Sequence, residues 1–221
     1  LTGAGNMNSI IWTERAIKCF DPRIILFVGV AGGIQGVSID DIVIGTKSYY
    51  YEYGKEAEDG FSPRGSAQSY DENLLNLLKK QIVKQDLLTK IREKWGDTDI
   101  IFAPIASGEK VIASRGSYSG QILKDVYNDA VAVEMEGYGF LKAIDYNSER
   151  VVKAMTIRGI SDMLDDKNSL GDVKQKITAR KVAEFVILIL PYIILTDTDT
   201  VEVNRLKLEG MYFNQLLSAR S

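Results

Sequence analysis

Histidine is absent from the 221 residues of this chain, and cysteine occurs once. Without histidine, the chain cannot contain a Ser-His-Asp or Cys-His catalytic arrangement or a His-ligated metal site. Proton transfer must therefore fall to Asp, Glu, Lys or Tyr. The single thiol, Cys19, cannot form an internal disulfide, so it gives no sign of an oxidising compartment. Its apolar neighbours in the sequence, which include Ile17 and Phe20, predict a buried side chain rather than a nucleophile.

The chain also lacks a strong charge imbalance. Lysine and arginine number 27 against 30 aspartates and glutamates, which leaves a net charge of −3. We therefore expect no nucleic-acid partner, because such binding needs a basic field. The most apolar run, 182–195, is too short to span a bilayer and contains Pro191, which favours a buried helix. The first five residues resemble neither a signal peptide nor a membrane anchor, so we expect a cytoplasmic protein with no membrane partner.

Apolar runs and helical patterns alternate along the chain. Strands are predicted over 23–30, 41–53, 99–106, 110–113, 130–134 and 151–161, and helices over 13–20, 71–95, 136–144 and 172–190. A polar loop is predicted over 54–69. The run 23–30 is nearly unbroken in apolar residues, which is typical of a strand buried on both faces. The alternation predicts an α/β fold with a mixed, mostly parallel central sheet flanked by helices on both faces.

The sequence contains no internal repeat and no low-complexity block, and it predicts one domain over residues 1–195. Leu1 stands where an initiator methionine is expected, which favours a chain cut from a longer polypeptide. After the polar break at 196–200, apolar residues recur between 206 and 217. We interpret 196–221 as a terminal helix or a linker.

Three predicted strand ends carry polar or glycine-rich motifs. They are residues 30–33 (VAGG), 134–137 (EMEG) and 158–162 (RGISD). Ligands in open α/β sheets bind at the carboxyl ends of strands, so these motifs mark a candidate site. Gly32 and Gly33 would let the backbone approach a ligand closely, or would serve a tight turn. The spacing is not that of a dinucleotide-binding loop.

The acidic residues at these strand ends allow two interpretations each. Glu134 and Glu136 would point to one side if the strand continued, and carboxylates suit the vicinal hydroxyls of a ribose. They would equally stabilise the start of the following helix. Arg158 and Asp162 could form an ion pair or a loop cap, or Asp162 could be a general acid beside a positive group.

Five segments together resemble one family. They are VGVAGG (28–33), DIVIG (41–45), ASGEKVI (106–112), AVEMEG (132–137) and RGISD (158–162). In this order the chain resembles, from about Gly3 to Leu190, the superfamily of purine nucleoside phosphorylases, uridine phosphorylases and methylthioadenosine/S-adenosylhomocysteine nucleosidases. The nucleosidase branch is the most similar. The segments VGVAGG (28–33), YYYEYGK (49–55) and PIASGEKV (104–111) are most similar to a subgroup of phosphorylase-like domains fused to larger bacterial signalling or defence proteins, some of which act on purine nucleotides.

The resemblance implies the phosphorylase/hydrolase-like fold and cleavage of the N-glycosidic bond of a purine nucleoside or nucleotide, without a metal or cofactor. It implies that Asp162 protonates the purine N7 and that Arg158 orients the attacking water. Glu136 would hold the ribose hydroxyls. The remaining substrate-binding residues implied are Met135, Glu134, Val111, Ile112, Ala31 and Gly32. We also expect a homodimer or higher homo-oligomer.

Two positions depart from the family pattern. Val30 stands where nucleosidases usually have Ser and phosphorylases Ser or Thr, and Phe27 stands where many phosphorylases have a phosphate-binding Arg. An anion site needs donors or positive charge, so Phe27 disfavours phosphate as the nucleophile. The family's water-activating Glu, near the start of the fold, is not seen in this sequence, so it either precedes Leu1 or is lacking. We therefore expect hydrolysis, with phosphorolysis and a catalytically silent nucleotide-binding regulatory module as the alternatives.

Overall fold

The computed structural model describes residues 3–58, 60–147, 149, 152–165 and 171–194. The interpretation of 196–221 as a helix or linker falls outside these residues. The helices are Asn6–Phe20 (α1), Glu72–Lys84 (α2), Leu87–Trp95 (α3), Tyr118–Asp125 (α4), Gly137–Tyr146 (α5) and Gly171–Ile194 (α6). The strands are Ile24–Gly33 (β1), Ile42–Tyr50 (β2), Gly54–Ala57 (β3), Gly60–Pro63 (β4), Ala67–Ser69 (β5), Ile100–Ser107 (β6), Ala132–Glu134 (β7) and Lys153–Met163 (β8).

The main sheet has the strand order β5-β2-β6-β7-β1-β8, and β2 also pairs with β8. The sheet therefore closes into a ring that consists of five strands, in the order β2, β6, β7, β1 and β8. The longest pairing, between β1 and β8, is parallel, as are those of β2 with β6 and β6 with β7. Shorter antiparallel pairings join β1 to β7, β2 to β8 and β2 to β5. The predicted α/β fold with a mixed, mostly parallel central sheet flanked by helices is confirmed.

The principal core lies between this sheet and the helices α2, α3, α5 and α6. Its fully buried side chains include Leu78, Phe140, Met155 and Phe185. Helix α1 packs on α5, which follows β7 directly. This packing matters for the site because the beginnings of both helices lie beside the ends of β6 and β7. Among the described residues, no helix has both the length and the apolar character needed to cross a membrane.

Several local predictions were wrong. Residues 110–113 form a loop rather than a strand, and the predicted loop 54–69 contains the exposed β3–β4 hairpin and β5. The predicted helix 71–95 is two helices, because Asp86 adopts the left-handed conformation between them (φ 48°). Helix α4 was not predicted; Ser117 caps it by accepting a hydrogen bond from the Gly120 amide at 3.1 Å.

Two burial predictions were also wrong. Strand β1 is only partly buried over most of its length, and Val28 is 37 % exposed. The reason is that β7 pairs with only Gly32 and Gly33 of β1, so the earlier residues of β1 have one strand neighbour in the described part of the chain. Cys19 is exposed near the end of α1, rather than buried.

Close backbone packing of α1 on α5 generates a test of the fold. A Cβ atom on Gly139 would lie 2.2 Å from the Asn6 carbonyl oxygen, well inside van der Waals contact. Alanine favours a helix over glycine by about 1 kcal/mol, but overpacking against backbone costs about 1–3 kcal/mol. We expect Gly139→Ala to lower the free energy of unfolding, measured by urea denaturation. The control is Gly65→Ala, which meets no atom within 4 Å. Equal stability of the two variants would contradict the packing.

Candidate active site

Arg158 is the buried cation of the candidate site, with 4 % of the residue exposed. Strand β8 places it beside Gly29 of β1, where a Cβ atom would lie 2.1 Å from Arg158 Nη1. The guanidinium lies over the Phe27 ring at 4.5 Å, and Phe27 stacks on Phe140 with ring centroids 4.8 Å apart. A cation over an aromatic face is attracted by the ring quadrupole. Phe27 therefore supports Arg158 instead of supplying a second positive charge.

Glu134, at the end of β7, is the ion-pair partner of Arg158. Its Oε2 accepts a hydrogen bond from Arg158 Nη2 at 2.5 Å, and the side chain is 2 % exposed. The same carboxylate accepts hydrogen bonds from the backbone N–H groups of Glu136 at 3.0 Å and Gly137 at 2.9 Å. Glu134 thus neutralises Arg158 and caps α5 at once. The structure thus shows the helix cap, and the expected contact of Glu134 with the substrate stays a prediction.

The remaining free N–H groups at the beginning of α5 also have partners. Tyr138 N donates to Ser107 Oγ at 3.2 Å, and Gly139 N donates to Asn6 Oδ1 at 2.8 Å. The next amide, of Phe140, makes the first hydrogen bond within the helix, to Glu136 O. A helix begins with four N–H groups that lack partners within the helix, and such groups often bind anions. Here internal acceptors occupy all of them.

Glu136 is the half-buried carboxylate beside this capped helix. Its Oε1 accepts a hydrogen bond from Gly5 N at 3.2 Å, and its Oε2 lies 3.8 Å from Arg158 Nη2. Burial, and next the negative charge of Glu134, raise the pKa of Glu136, although Arg158 acts in the opposite direction. Unlike Glu134, Glu136 does not cap α5 with its side chain. It therefore keeps acceptor capacity for a ligand.

Asp162 lies near the end of β8, across from Gly32 of β1. The register of the two strands shifts between Ala31 and Gly32. Asp162 Oδ1 accepts a hydrogen bond from Ser161 Oγ at 2.8 Å. A Cβ atom on Gly32 would lie 3.6 Å from Asp162 Oδ2 and 3.7 Å from Val133 Cγ1. The half-buried carboxylate of Asp162 thus lies above the β1 backbone, close to the strand that leads into Glu134.

The three motifs lie together beside the last residues of β1. Strand β7 runs antiparallel to β1, whereas β8 runs parallel to it. Glu134 follows Val133, which pairs with Gly32, so it lies near the carboxyl end of β1, where it reaches Arg158. The ion pair of Arg158 is made with Glu134 and not with Asp162. A ligand contacting both Asp162 and Glu136 would lie along β1.

Sequence reasoning missed a further acidic residue, Glu109, in the loop after β6. Its carboxylate accepts a hydrogen bond from Asn6 N at 3.3 Å, next to the Gly5 N–H that binds Glu136. Its own N–H donates to Glu52, which pairs with Lys110 at 3.2 Å. The available signal in the sequence was the position of Glu109 in the segment ASGEKVI, just after the strand predicted over 99–106. Carboxylates outnumber cations around this part of the site.

The other predicted site residues occupy different environments. Ala31 is buried in β1, while Gly32 and Met135 are half-buried. Ile112 is 5 % exposed and packs in a second core cluster with residues such as Tyr51. Val111, its neighbour, is 68 % exposed. The substrate contacts expected of these residues stay predictions. Among the described residues, no group of three or more His, Cys, Asp or Glu side chains is arranged to hold a metal ion.

Comparison with known proteins finds a family model that matches most of the chain. The model of the phosphorylase superfamily matches residues 1–193. A 5′-methylthioadenosine/S-adenosylhomocysteine nucleosidase of Staphylococcus carnosus is 29 % identical over 141 residues, which is 62 % of this chain and 56 % of that protein. The Staphylococcus epidermidis nucleosidase of the same name is 28 % identical over 175 residues, 77 % of this chain and 70 % of that protein. The chain thus spans little more than half of the first relative.

Solved structures share the fold. The futalosine hydrolase of Helicobacter pylori has a TM-score of 0.68 at 23 % identity, covering 87 % of this chain and 76 % of that one. A methylthioadenosine/S-adenosylhomocysteine nucleosidase of Colwellia psychrerythraea, in complex with adenine, has a TM-score of 0.70 at 19 % identity, with the same coverages of 87 % and 76 %. These similarities confirm the predicted phosphorylase/hydrolase-like fold.

The raised pKa of Glu136 generates a prediction about stability. A carboxyl whose pKa is higher in the folded state binds more protons there than in the unfolded chain, so its ionisation lowers stability as pH rises above its ordinary pKa of about 4.5. Glutamine cannot ionise but keeps an acceptor for Gly5 N. We expect Glu136→Gln to gain thermal stability relative to the native protein between pH 4 and pH 7, measured by calorimetry.

The control for this experiment is Glu93→Gln on the exposed surface of α3, which should show no such pH-dependent gain. A Glu136→Gln variant whose stability relative to the native protein is constant across this pH range would contradict the unfavourable ionisation of Glu136.

Proposed function

The chain belongs to the phosphorylase superfamily, and we propose on that basis that it hydrolyses the N-glycosidic bond of a purine nucleoside or nucleotide and releases the free base. The observation that carries this proposal is the position of a candidate acid, Asp162, and a candidate sugar-binding carboxylate, Glu136, beside the end of β1, where the described residues leave few donors for phosphate. The nucleosidases among its relatives support the same activity.

Asp162 is the proposed general acid. Cleavage of the bond between C1′ and N9 leaves positive charge on the sugar and negative charge on the purine, and a proton delivered to N7 neutralises the departing base. Asp162 suits this role because its hydrogen-bond partner is the neutral Ser161 hydroxyl, while the nearby cation Arg158 is engaged by Glu134.

Glu136 is the proposed partner of the ribose hydroxyls. A carboxylate accepts hydrogen bonds from both vicinal hydroxyl groups, and those bonds offset the cost of its partial burial. Glu109 adds negative charge on the same side. This charge stabilises the positive sugar of the transition state, because fixed charges are effective when they face the charge that develops. Arg158 is proposed to orient the attacking water and to limit the excess of negative charge.

Water is the proposed nucleophile because the site has little to offer phosphate. The N–H groups at the beginning of α5 are occupied by Glu134, Ser107 and Asn6. Phe27 contributes a ring under Arg158 instead of a charge, and Val30 has no hydroxyl. A phosphate dianion would also approach several carboxylates. These features disfavour phosphorolysis, whereas a neutral water molecule meets no such repulsion.

Five further residues of the chain are proposed to contact the substrate. Ala31 and Gly32 lie along the base or ribose, Met135 packs against the base or the ribose, and Ile112 and Val111 belong to the base pocket.

We also propose a cytoplasmic homodimer or higher homo-oligomer. Exposed apolar side chains on α1, among them Met7 at 70 % and Trp12 at 46 % exposure, support association through that helix.

The experiment that tests this function measures base release from adenosine, methylthioadenosine, AMP and ATP by the native protein and by Asp162→Asn. Asparagine keeps the shape of Asp162 but cannot deliver a proton. We expect the substitution to lower turnover on the best substrate about 10²–10⁴-fold, the scale of general acid catalysis, with an unchanged thermal transition.

The matched control is Asp165→Asn, three residues further along, where an exposed carboxylate interacts with Arg115. This variant should keep native turnover. Near-native turnover in Asp162→Asn would remove Asp162 from its role. No base release from any of the four substrates by the native protein would contradict the proposed hydrolysis and favour the silent nucleotide-binding module.

A further inference from the structure

Asn6, the first residue of α1, connects three separate parts of the site. It is 5 % exposed, and its side-chain oxygen accepts hydrogen bonds from Ser107 Oγ at 3.0 Å and Gly139 N at 2.8 Å. Its side-chain nitrogen donates to Gly108 O at 3.3 Å. The amide group of Asn6 thus joins the end of β6, the loop that follows it and the first turn of α5.

The backbone at Asn6 holds the acidic side chains. The N–H of Asn6 donates to Glu109, and the N–H of the preceding residue, Gly5, donates to Glu136. These consecutive peptide groups therefore fix the two carboxylates next to each other. A displacement of Asn6 would move the N–H groups that hold Glu109 and Glu136.

The contacts of Asn6 leave little freedom for such a displacement. Both acceptor bonds go to buried groups, and the carbonyl of Asn6 packs against Gly139 so closely that a Cβ atom there would lie 2.2 Å from it. The neighbouring Asn8 differs, because it is exposed and its side chain donates to Ala4 O, one turn back, as its one hydrogen bond within the described residues. The connection between α1 and α5 is therefore specific to Asn6.

We propose that Asn6 is a positioning residue that sets the orientation of Glu136 toward the ribose hydroxyls, an inference that rests on the proposed role of Glu136 in sugar binding. Asn6 acts through the peptide between Gly5 and Asn6 at one end and through the first turn of α5 at the other. It makes no contact with substrate itself. Its effect is on selectivity for the ribose over the 2′-deoxyribose.

The test compares the affinities of adenosine and 2′-deoxyadenosine by titration calorimetry, alongside base release. The ratio of the two affinities is unaffected by a partial loss of folded protein, so a purely structural role would leave it unchanged. The native protein should prefer adenosine about tenfold or more, as expected for a hydrogen bond to a charged group. Asn6→Ala should bring this ratio close to unity, whereas the control Asn8→Ala should keep the native ratio.

If Asn6→Ala does not fold, the variant Asn6→Asp tests the positioning role instead. It has the same shape and keeps the acceptors for Ser107 and Gly139, but it cannot donate to Gly108 O and adds a buried charge near Glu136. We expect it to reduce the preference for adenosine as well. A folded Asn6→Ala or Asn6→Asp variant with the native ratio would overturn the inference, as would a native protein without any preference.

The same measurements separate this inference from the proposed function. A native protein that prefers adenosine in binding but releases no base contradicts hydrolysis, while the affinity ratio still decides the role of Asn6. A native protein that releases base, with the affinity ratio unchanged in the folded Asn6 variants, retains the proposed function and overturns only the positioning role.

Discussion

The buried ion pair of Glu134 and Arg158 is the interaction on which the site depends. Two charges lose much of their hydration in such a position, and removing one partner typically costs about 3–5 kcal/mol. Glu134 tolerates burial because its carboxylate also accepts the N–H groups of Glu136 and Gly137. Arg158 fits because Gly29 leaves room for Nη1 and Phe27 supports the guanidinium plane. The pair thus ties β7, β8 and the beginning of α5 into one arrangement.

The proposed chemistry follows from the different contacts of Glu134 and Glu136. Since Glu134 satisfies Arg158 and α5, Glu136 two residues later is left with acceptor capacity and an unfavourable ionisation. The N–H groups at the beginning of a helix commonly bind phosphate. At the beginning of α5 these groups donate to acceptors within the protein instead. What is left between Asp162 and Glu136 is an acidic surface over the β1 backbone, which suits a cationic sugar and a base that requires a proton.

The sequence predicted the elements better than their arrangement. Strands β1 and β8 and helix α5 were predicted close to their observed positions, because their apolar periodicity is local. The direction of β7 and the ring closure depend on pairing between distant segments. The roles of Glu134 and Glu136 stayed undecided for the same reason: the Gly5 N–H that contacts Glu136 is 131 positions away.

The contacts of Asn6 show most clearly what could not be predicted from the sequence. Its partners Ser107 and Gly139 lie 101 and 133 positions along the chain, so an asparagine at a helix start carries no local sign of them. The exposed Cys19 and the partly buried β1 have a related cause. Apolar neighbours in the sequence indicate burial only when another element covers them, and the described residues leave Cys19 exposed and cover β1 only in part.

The central claim is that this acidic site uses water and excludes phosphate. The most direct measurement is base release in water enriched in ¹⁸O, with and without added phosphate, followed by mass spectrometry of the sugar product. We predict one ¹⁸O atom at C1′ of a free sugar, or of a sugar that keeps its 5′ substituent, in both conditions. A sugar 1-phosphate without the label, formed only when phosphate is present, would contradict it.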